Sequence, residues 1–108
     1  MKTLAAFLIC SGFVFAHDLE GTYRRWASAE IYTIASDGQM SGMNPTNETQ
    51  WSNDYTGPVK GGGYGYRAGG GKWTWVVRRL DEDTLVIAER ENGRPKQAII
   101  FLRVGTEE

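Results

Sequence analysis

The last third of the chain alternates short apolar runs with polar turns. Residues 72–104 contain three runs rich in Val, Ile and aromatic residues, separated by turns rich in Asp, Asn, Gly and Pro. Such runs are typical of strands in an antiparallel meander. Alternation places Trp73, Trp75 and Val77 on one face of the first strand. The pattern predicts strands over residues 72–79, 84–89 and 96–104, with turns at 80–83 and at Asn92-Gly93.

Shorter alternating runs precede this sheet. They predict strands over residues 21–26, 30–35 and 39–43, with a hairpin turn at Asp37-Gly38. Met40 is placed to face the core, and Gly42 indicates a bulge or a close approach. Residues 44–57 are polar and rich in turn-forming residues, so we expect a long loop or a weak edge strand there.

Residues 61–71 (GGGYGYRAGGG) form the most unusual segment. A phosphate-binding loop is excluded by the spacing, because Tyr66 and Trp73 occupy positions where that motif needs Gly and Ser or Thr. We expect a short strand over residues 64–67 between two glycine turns, and a loop that grips a ligand is the alternative. No run after the first 16 residues keeps a helical apolar period beyond about eight residues. The chain therefore predicts an all-β fold, an antiparallel meander closing into a compact barrel or sandwich of about six to eight strands.

The first residues read as a secretory signal peptide. Lys2 precedes an apolar run, and Val14 and Ala16 stand at the −3 and −1 positions of a cleavage site. The run is too short to span a bilayer, which takes about 20 residues. Cys10 suggests lipidation, but Ile9 stands before it where a small residue is normally needed. We expect cleavage after Ala16, export to a periplasmic or extracellular space, and one all-β domain over residues 17–108.

Charge and composition exclude several classes of protein. Without Lys2 the domain has 11 basic and 13 acidic residues, a net charge of −2, which argues against nucleic acid as a partner. The expected mature chain has no cysteine, so it contains neither a disulfide nor a Cys–His pair. Its one histidine, His17, is too few for a metal site, and we expect no metal or other cofactor and no membrane span.

Enzymatic chemistry has little support. A pair of carboxylates could hydrolyse glycosides. Asp81, Glu82 and Asp83 lie in a predicted turn, while Glu30 and Glu89 lie on strands and could face a cavity. Nothing in their spacing requires that arrangement, so we expect no enzymatic activity.

Binding is the better supported class of function. All four tryptophans and all five tyrosines follow Ala16, and many lie between residues 51 and 75 among glycines that would leave their faces uncovered. Aromatic faces stack on sugar rings or apolar ligands. For Trp73 and Trp75 a core position is the favoured alternative. We expect either a small apolar or carbohydrate ligand, or an exported protein that the glycine-rich loop inhibits or assists. The candidate binding residues are Trp51, Tyr55, Tyr64, Tyr66, Arg67 and Trp73.

The chain resembles lipocalin-like domains of the calycin group of small barrels. An opening Gly21-Thr22-Tyr23 and a closing strand that ends at Arg103 stand where that group has Gly-x-Trp and an arginine. The resemblance implies that Arg103 packs against Tyr23 and closes one end of a barrel. Tyr23 replaces the usual tryptophan, and the chain is shorter than a typical ligand-holding barrel of this kind.

Overall fold

The computed structural model describes residues 19–104. Over these residues eight antiparallel strands join in chain order into a closed barrel, so the all-β meander is confirmed and the barrel is preferred to the sandwich. The strands are β1 (Gly21–Arg25), β2 (Ile31–Ile34), β3 (Met40–Asn44), β4 (Thr49–Pro58), β5 (Tyr64–Ala68), β6 (Trp73–Asp81), β7 (Thr84–Glu91) and β8 (Arg94–Arg103). The predicted signal peptide lies outside the described residues.

The first and last strands close the barrel. Tyr23 of β1 pairs with Arg103 of β8, and Arg25 pairs with Phe101. The backbone N–H of Val104 adds a hydrogen bond to the carbonyl of Thr22 at 2.9 Å. Every other pairing joins strands that are neighbours in the chain.

The predicted faces of β6, β7 and β8 are confirmed. Trp75 and Val77 of β6, Leu85 and Ile87 of β7, and Phe101 of β8 are all buried inside the barrel. The residues between them point outwards, as the alternation of side chains along a strand requires.

Residues 44–57 were expected to form a long loop or a weak edge strand, and most of the segment is a strand, although not at an edge. Residues Thr49–Pro58 form the ten-residue strand β4, which pairs with β3 on one side and β5 on the other. Trp51, Asn53 and Tyr55 face inwards between exposed polar residues. Thr49 to Asn53 pair with β3 and Asp54 to Pro58 pair with β5, so both neighbours hold this strand in place even where its side chains have low strand propensity.

The glycine-rich segment contains the predicted short strand. Residues Tyr64–Ala68 form β5, and Gly69–Gly71 form a single 3₁₀ turn before β6. Glycines 61–63 and 69–71 all have positive φ, which explains why glycine occupies both turns. The turn before β5 is tight, because Val59 and Gly63 share a backbone hydrogen bond of 3.0 Å.

Aromatic side chains fill the middle of the barrel. The Tyr32 and Phe101 rings stack with centroids 4.5 Å apart, and Trp75 meets both rings at 5.7 and 5.8 Å. A Cβ on Gly42 would come within 2.5 Å of Trp51 Nε1 and 2.7 Å of Tyr32 Cε2. Gly42 therefore allows the close approach that the sequence predicted.

Candidate functional site

One end of the barrel, called here the closed end, is sealed by the start of the chain and by Arg103. The Arg103 guanidinium lies 4.9 Å from the centre of the Tyr23 ring. Its Nη1 and Nε donate to the carbonyls of Glu20 (3.0 Å) and Glu82 (3.1 Å). Leu19 is fully buried, and its carbonyl accepts a 2.6 Å hydrogen bond from the Tyr23 hydroxyl. Arg103 packs against Tyr23 at this end, which is the arrangement that the resemblance implied.

The opposite end, called here the mouth, contains a cavity of about 240 Å³. The mouth lies where β1 ends, β2 begins and β5 turns into β6. Four aromatic residues, three charged residues and two small or amide residues line the cavity: Tyr32, Trp51, Trp73, Trp75, Arg25, Glu30, Glu89, Asn53 and Ala68. The cavity is therefore both aromatic and polar, which is the usual composition of a small-ligand site.

Glu30 is held at one side of the mouth cavity. Its Oε1 accepts hydrogen bonds from the Tyr32 hydroxyl at 2.8 Å and from Arg25 Nη1 at 3.2 Å. Arg25 and Glu30 thus form an ion pair whose two side chains are each about one quarter exposed. Burial raises the pKa of the Tyr32 hydroxyl, and the hydrogen bond to Glu30 raises it further, so Tyr32 remains a donor at neutral pH.

Glu89 is the most deeply buried charged residue of the cavity, with 8% of its surface exposed. Its Oε2 accepts a hydrogen bond of 2.9 Å from Trp75 Nε1, and its Oε1 accepts one of 2.7 Å from Gln97 Nε2. Both donors are neutral. Among residues 19–104, no cation lies within ion-pair distance of this carboxylate.

The rim of the mouth carries a separate charge cluster. Glu91 forms ion pairs with Lys72 at 3.5 Å and with Lys96 at 3.4 Å. Lys72 Nζ also lies 5.3 Å from the centre of the Trp73 ring. One ammonium group is thereby held between an aromatic ring and a carboxylate.

The six residues predicted from the sequence do not surround one cavity. Trp51 and Trp73 line the mouth cavity. Tyr55, Tyr64 and Tyr66 lie nearer the closed end, where the Tyr55 ring is 6.2 Å from Tyr64 and 5.4 Å from Tyr66.

Tyr66 and Arg67, neighbours on β5, point to opposite sides of the barrel wall. Tyr66 is buried, and its hydroxyl donates a 2.6 Å hydrogen bond to the carbonyl of Gly38 in the turn between β2 and β3. Arg67 is exposed on the outer surface. Neither residue borders the mouth cavity.

Sequence reasoning did not propose Arg25, Tyr32, Asn53 or Trp75 as binding residues. Each is an inward-facing residue near the mouth, and only the strand register reveals that they are close together. Trp75 was expected in the core, and it does pack there while its indole N–H reaches Glu89. Glu30 and Glu89 were noted as strand carboxylates that could face a cavity, and both line this one.

A wider groove of about 400 Å³ lies against β2, β3 and β4. Its lining combines the short, exposed side chains of Thr33, Ser41 and Ser52 with larger residues that include Met43 and Trp51. None of its lining residues is charged. The mouth cavity is therefore the better candidate site.

Two classes of feature are not found within residues 19–104. No group of three or more His, Cys, Asp or Glu side chains there is arranged to hold a metal ion. No helix in that part of the chain is long and apolar enough to cross a membrane.

Comparison with known proteins gives no relative: no family model, curated protein or solved structure matches the chain. The class that the fold defines is a small antiparallel β-barrel with one closed end and one open end.

Proposed function

We propose that this protein is a small exported, non-enzymatic binding domain of lipocalin-like type, which holds a small ligand in the mouth cavity. The observation that carries the proposal is the convergence of Trp51, Trp73, Trp75 and Tyr32 on one cavity that also contains fixed polar groups. Aromatic side chains supply contact area, and a few fixed polar groups set the orientation of a ligand.

The closed end supports the lipocalin-like part of the proposal. Arg103 stacks on Tyr23 and bonds to the carbonyls of Glu20 and Glu82, which is the role that the resemblance assigns to the closing arginine. A barrel sealed at one end leaves the mouth as the route by which a ligand reaches the interior. Export is proposed from the apolar run that follows Lys2 and the cleavage site at Ala16.

The size of the cavity limits the ligand. A volume of about 240 Å³ lies below the roughly 300–1,000 Å³ that is usual for small-ligand pockets. The ligand is therefore compact, unless part of it extends from the mouth into solvent.

Two carboxylates in one cavity also raise the question of glycoside hydrolysis. That chemistry needs one carboxyl group that donates a proton to the leaving group. Here Glu30 accepts from Arg25 and Tyr32, and Glu89 accepts from Trp75 and Gln97. Two carboxylates held as acceptors support binding better than acid catalysis.

Native mass spectrometry of the protein, purified gently from its own host, tests the proposal. We expect an additional mass of up to a few hundred daltons, of the size that such a cavity holds. The variants Trp51→Ala and Trp73→Ala should lose this mass. Trp26→Ala is the matched control, because Trp26 is 62% exposed and lies outside the cavity.

Other outcomes contradict the proposal. A bare monomer mass for the wild type would show that the purified protein retains no ligand. An extra mass that all three variants retain would show that the ligand binds outside the mouth cavity. A stable complex with an exported protein would favour the inhibitor or accessory class.

A further inference from the structure

We propose that the ligand of the mouth cavity is a small organic cation, an amine whose ammonium group binds Glu89 and whose body packs against the surrounding aromatic rings. This inference rests on the proposed function and names the chemical class of its ligand.

The charges that line the cavity are unbalanced. Arg25 offsets Glu30, which leaves the charge of Glu89 without a partner cation among the described residues. Each oxygen of Glu89 accepts one hydrogen bond, and both donors are neutral, so neither supplies a compensating positive charge. A buried charge without a counter-charge is unfavourable, so a cation placed there gains more than it would at an exposed carboxylate.

Glu89 has acceptor capacity left for such a ligand. A carboxylate has about four lone-pair sites, and Trp75 and Gln97 occupy one on each oxygen. The two donors fix the orientation of the carboxylate. A third donor therefore meets an acceptor that is already in place.

Aromatic rings around a carboxylate favour cations in particular. The face of an indole or phenol ring attracts a cation within about 6 Å of its centre, and tryptophan does so most strongly. Trp51, Trp75 and Tyr32 line the same cavity as Glu89. A neutral sugar could donate a hydroxyl hydrogen bond to the carboxylate, but it would gain nothing from the attraction between a cation and an aromatic ring.

The rim shows the same combination with its cation present. Lys72 Nζ lies 5.3 Å from the Trp73 ring centre and 3.5 Å from Glu91 Oε2. Deeper in the mouth, Glu89 lies beside Trp75 and has no such cation. A ligand amine would complete inside the cavity the arrangement that Lys72 makes at its edge.

Isothermal titration calorimetry at pH 7 with two matched probes tests the inference. 2-Phenylethylamine is protonated at this pH, as a lysine side chain is, and 2-phenylethanol has nearly the same shape without the charge. We expect the amine to bind about 10- to 100-fold more tightly than the alcohol, which is the usual range for a hydrogen bond to a charged group.

The variant Glu89→Gln removes the charge while keeping acceptors and donors for Trp75 and Gln97, because the Gln97 amide can turn over. It should weaken amine binding by a similar factor and leave alcohol binding unchanged. Glu30→Gln is the second variant, and its effect should be smaller because Arg25 already balances Glu30. Glu82→Gln, in the exposed turn at the closed end, should have no effect.

Each alternative result overturns the inference. Equal binding of the two probes, or amine binding unchanged in Glu89→Gln with a normal melting temperature, would exclude the ammonium contact. If neither probe binds but a neutral or anionic molecule co-purifies and depends on Trp51 and Trp73, the proposed function survives and the amine does not. If nothing binds and nothing co-purifies, both fail.

Discussion

Arg103 provides the sharpest test of the barrel's closed end, and we expect Arg103→Ala to destabilise the protein by about 2 kcal/mol. The truncation removes the contact with the Tyr23 ring, about 0.5–2 kcal/mol at a partly buried site. It also removes two hydrogen bonds to the carbonyls of Glu20 and Glu82, each contributing about 0.5–1.5 kcal/mol net. Because these carbonyls lie where water can reach them after truncation, we expect the lower part of that range.

The ion pair between Arg103 and Asp83 adds little to this value. Asp83 is 64% exposed, and the two groups are 3.6 Å apart. Exposed pairs of this kind contribute about 0–1 kcal/mol. The stacking and the carbonyl bonds therefore account for most of the expected loss.

Thermal and urea unfolding, followed by circular dichroism, measure the effect. A loss of about 2 kcal/mol lowers the melting temperature of a domain this size by roughly 8–16 °C. Arg103→Lys should recover only part of it, because lysine keeps the charge but loses the planar fork. Arg24→Ala is the control, since Arg24 lies on the outer face of β1 and is exposed.

If the melting temperatures of Arg103→Ala and Arg24→Ala both lay within about 1 °C of the wild-type value, the argument for the closed end would be refuted. The lipocalin-like part of the proposal would then lose its structural support. The mouth cavity would remain, because none of its lining residues contacts Arg103 in the hydrogen bonds and ring contacts described.

Three further predictions concern packing, pH and backbone. Gly42→Ala should lower the free energy of urea unfolding by about 1–3 kcal/mol, because the added Cβ would overlap Trp51. The control Ser41→Ala, on the outer face, should change it by less than about 0.5 kcal/mol, and equal effects would contradict the packing argument. Burial raises the pKa of Tyr66 above its ordinary value of about 10, so the stability that this hydroxyl contributes is complete below pH 10 and is lost as the pH rises above 10. The unfolding free energy of Tyr66→Phe should therefore fall less steeply than that of the wild type between pH 9 and 11.5, and an identical slope would contradict this. Gly70→Ala should lower the free energy of urea unfolding by about 1–2 kcal/mol because φ is 68° there. The added Cβ would meet no atom within 4 Å, so the loss reports backbone strain alone, and a neutral effect would show that this turn rearranges freely.

Short apolar runs between turn residues made the last three strands predictable. β6, β7 and β8 each contain one such run, in which two large apolar residues at alternate positions are buried. For β4 the sequence left a loop and a weak edge strand open, although Trp51, Asn53 and Tyr55 also alternate with polar residues. An inward asparagine and a lack of Val and Ile made it resemble a loop, because strand propensity reflects packing partners that only the closed barrel supplies.

The mouth cavity could be predicted only in part. Aromatic residues among glycines indicated Trp51 and Trp73, but the same signal also selected Tyr66, whose hydroxyl donates a hydrogen bond to the Gly38 carbonyl at the other end. Local sequence does not show at which end of a barrel an inward residue lies, since that depends on the register of every strand before it. Glu89 was noted from the sequence as a carboxylate that could face a cavity, but only the structure shows that Trp75 and Gln97 hold it there.

The junction between β1 and β8 also has a consequence for how the protein folds. Each other junction joins strands adjacent in the chain, and such contacts form early because the loop to be closed is short. The pairing of Tyr23 with Arg103 must bring together residues about 80 positions apart, so we expect it to form after the rate-limiting step. Arg103→Ala should then accelerate unfolding and leave the refolding rate nearly unchanged in stopped-flow experiments, and a slower refolding rate would place this junction in the folding nucleus.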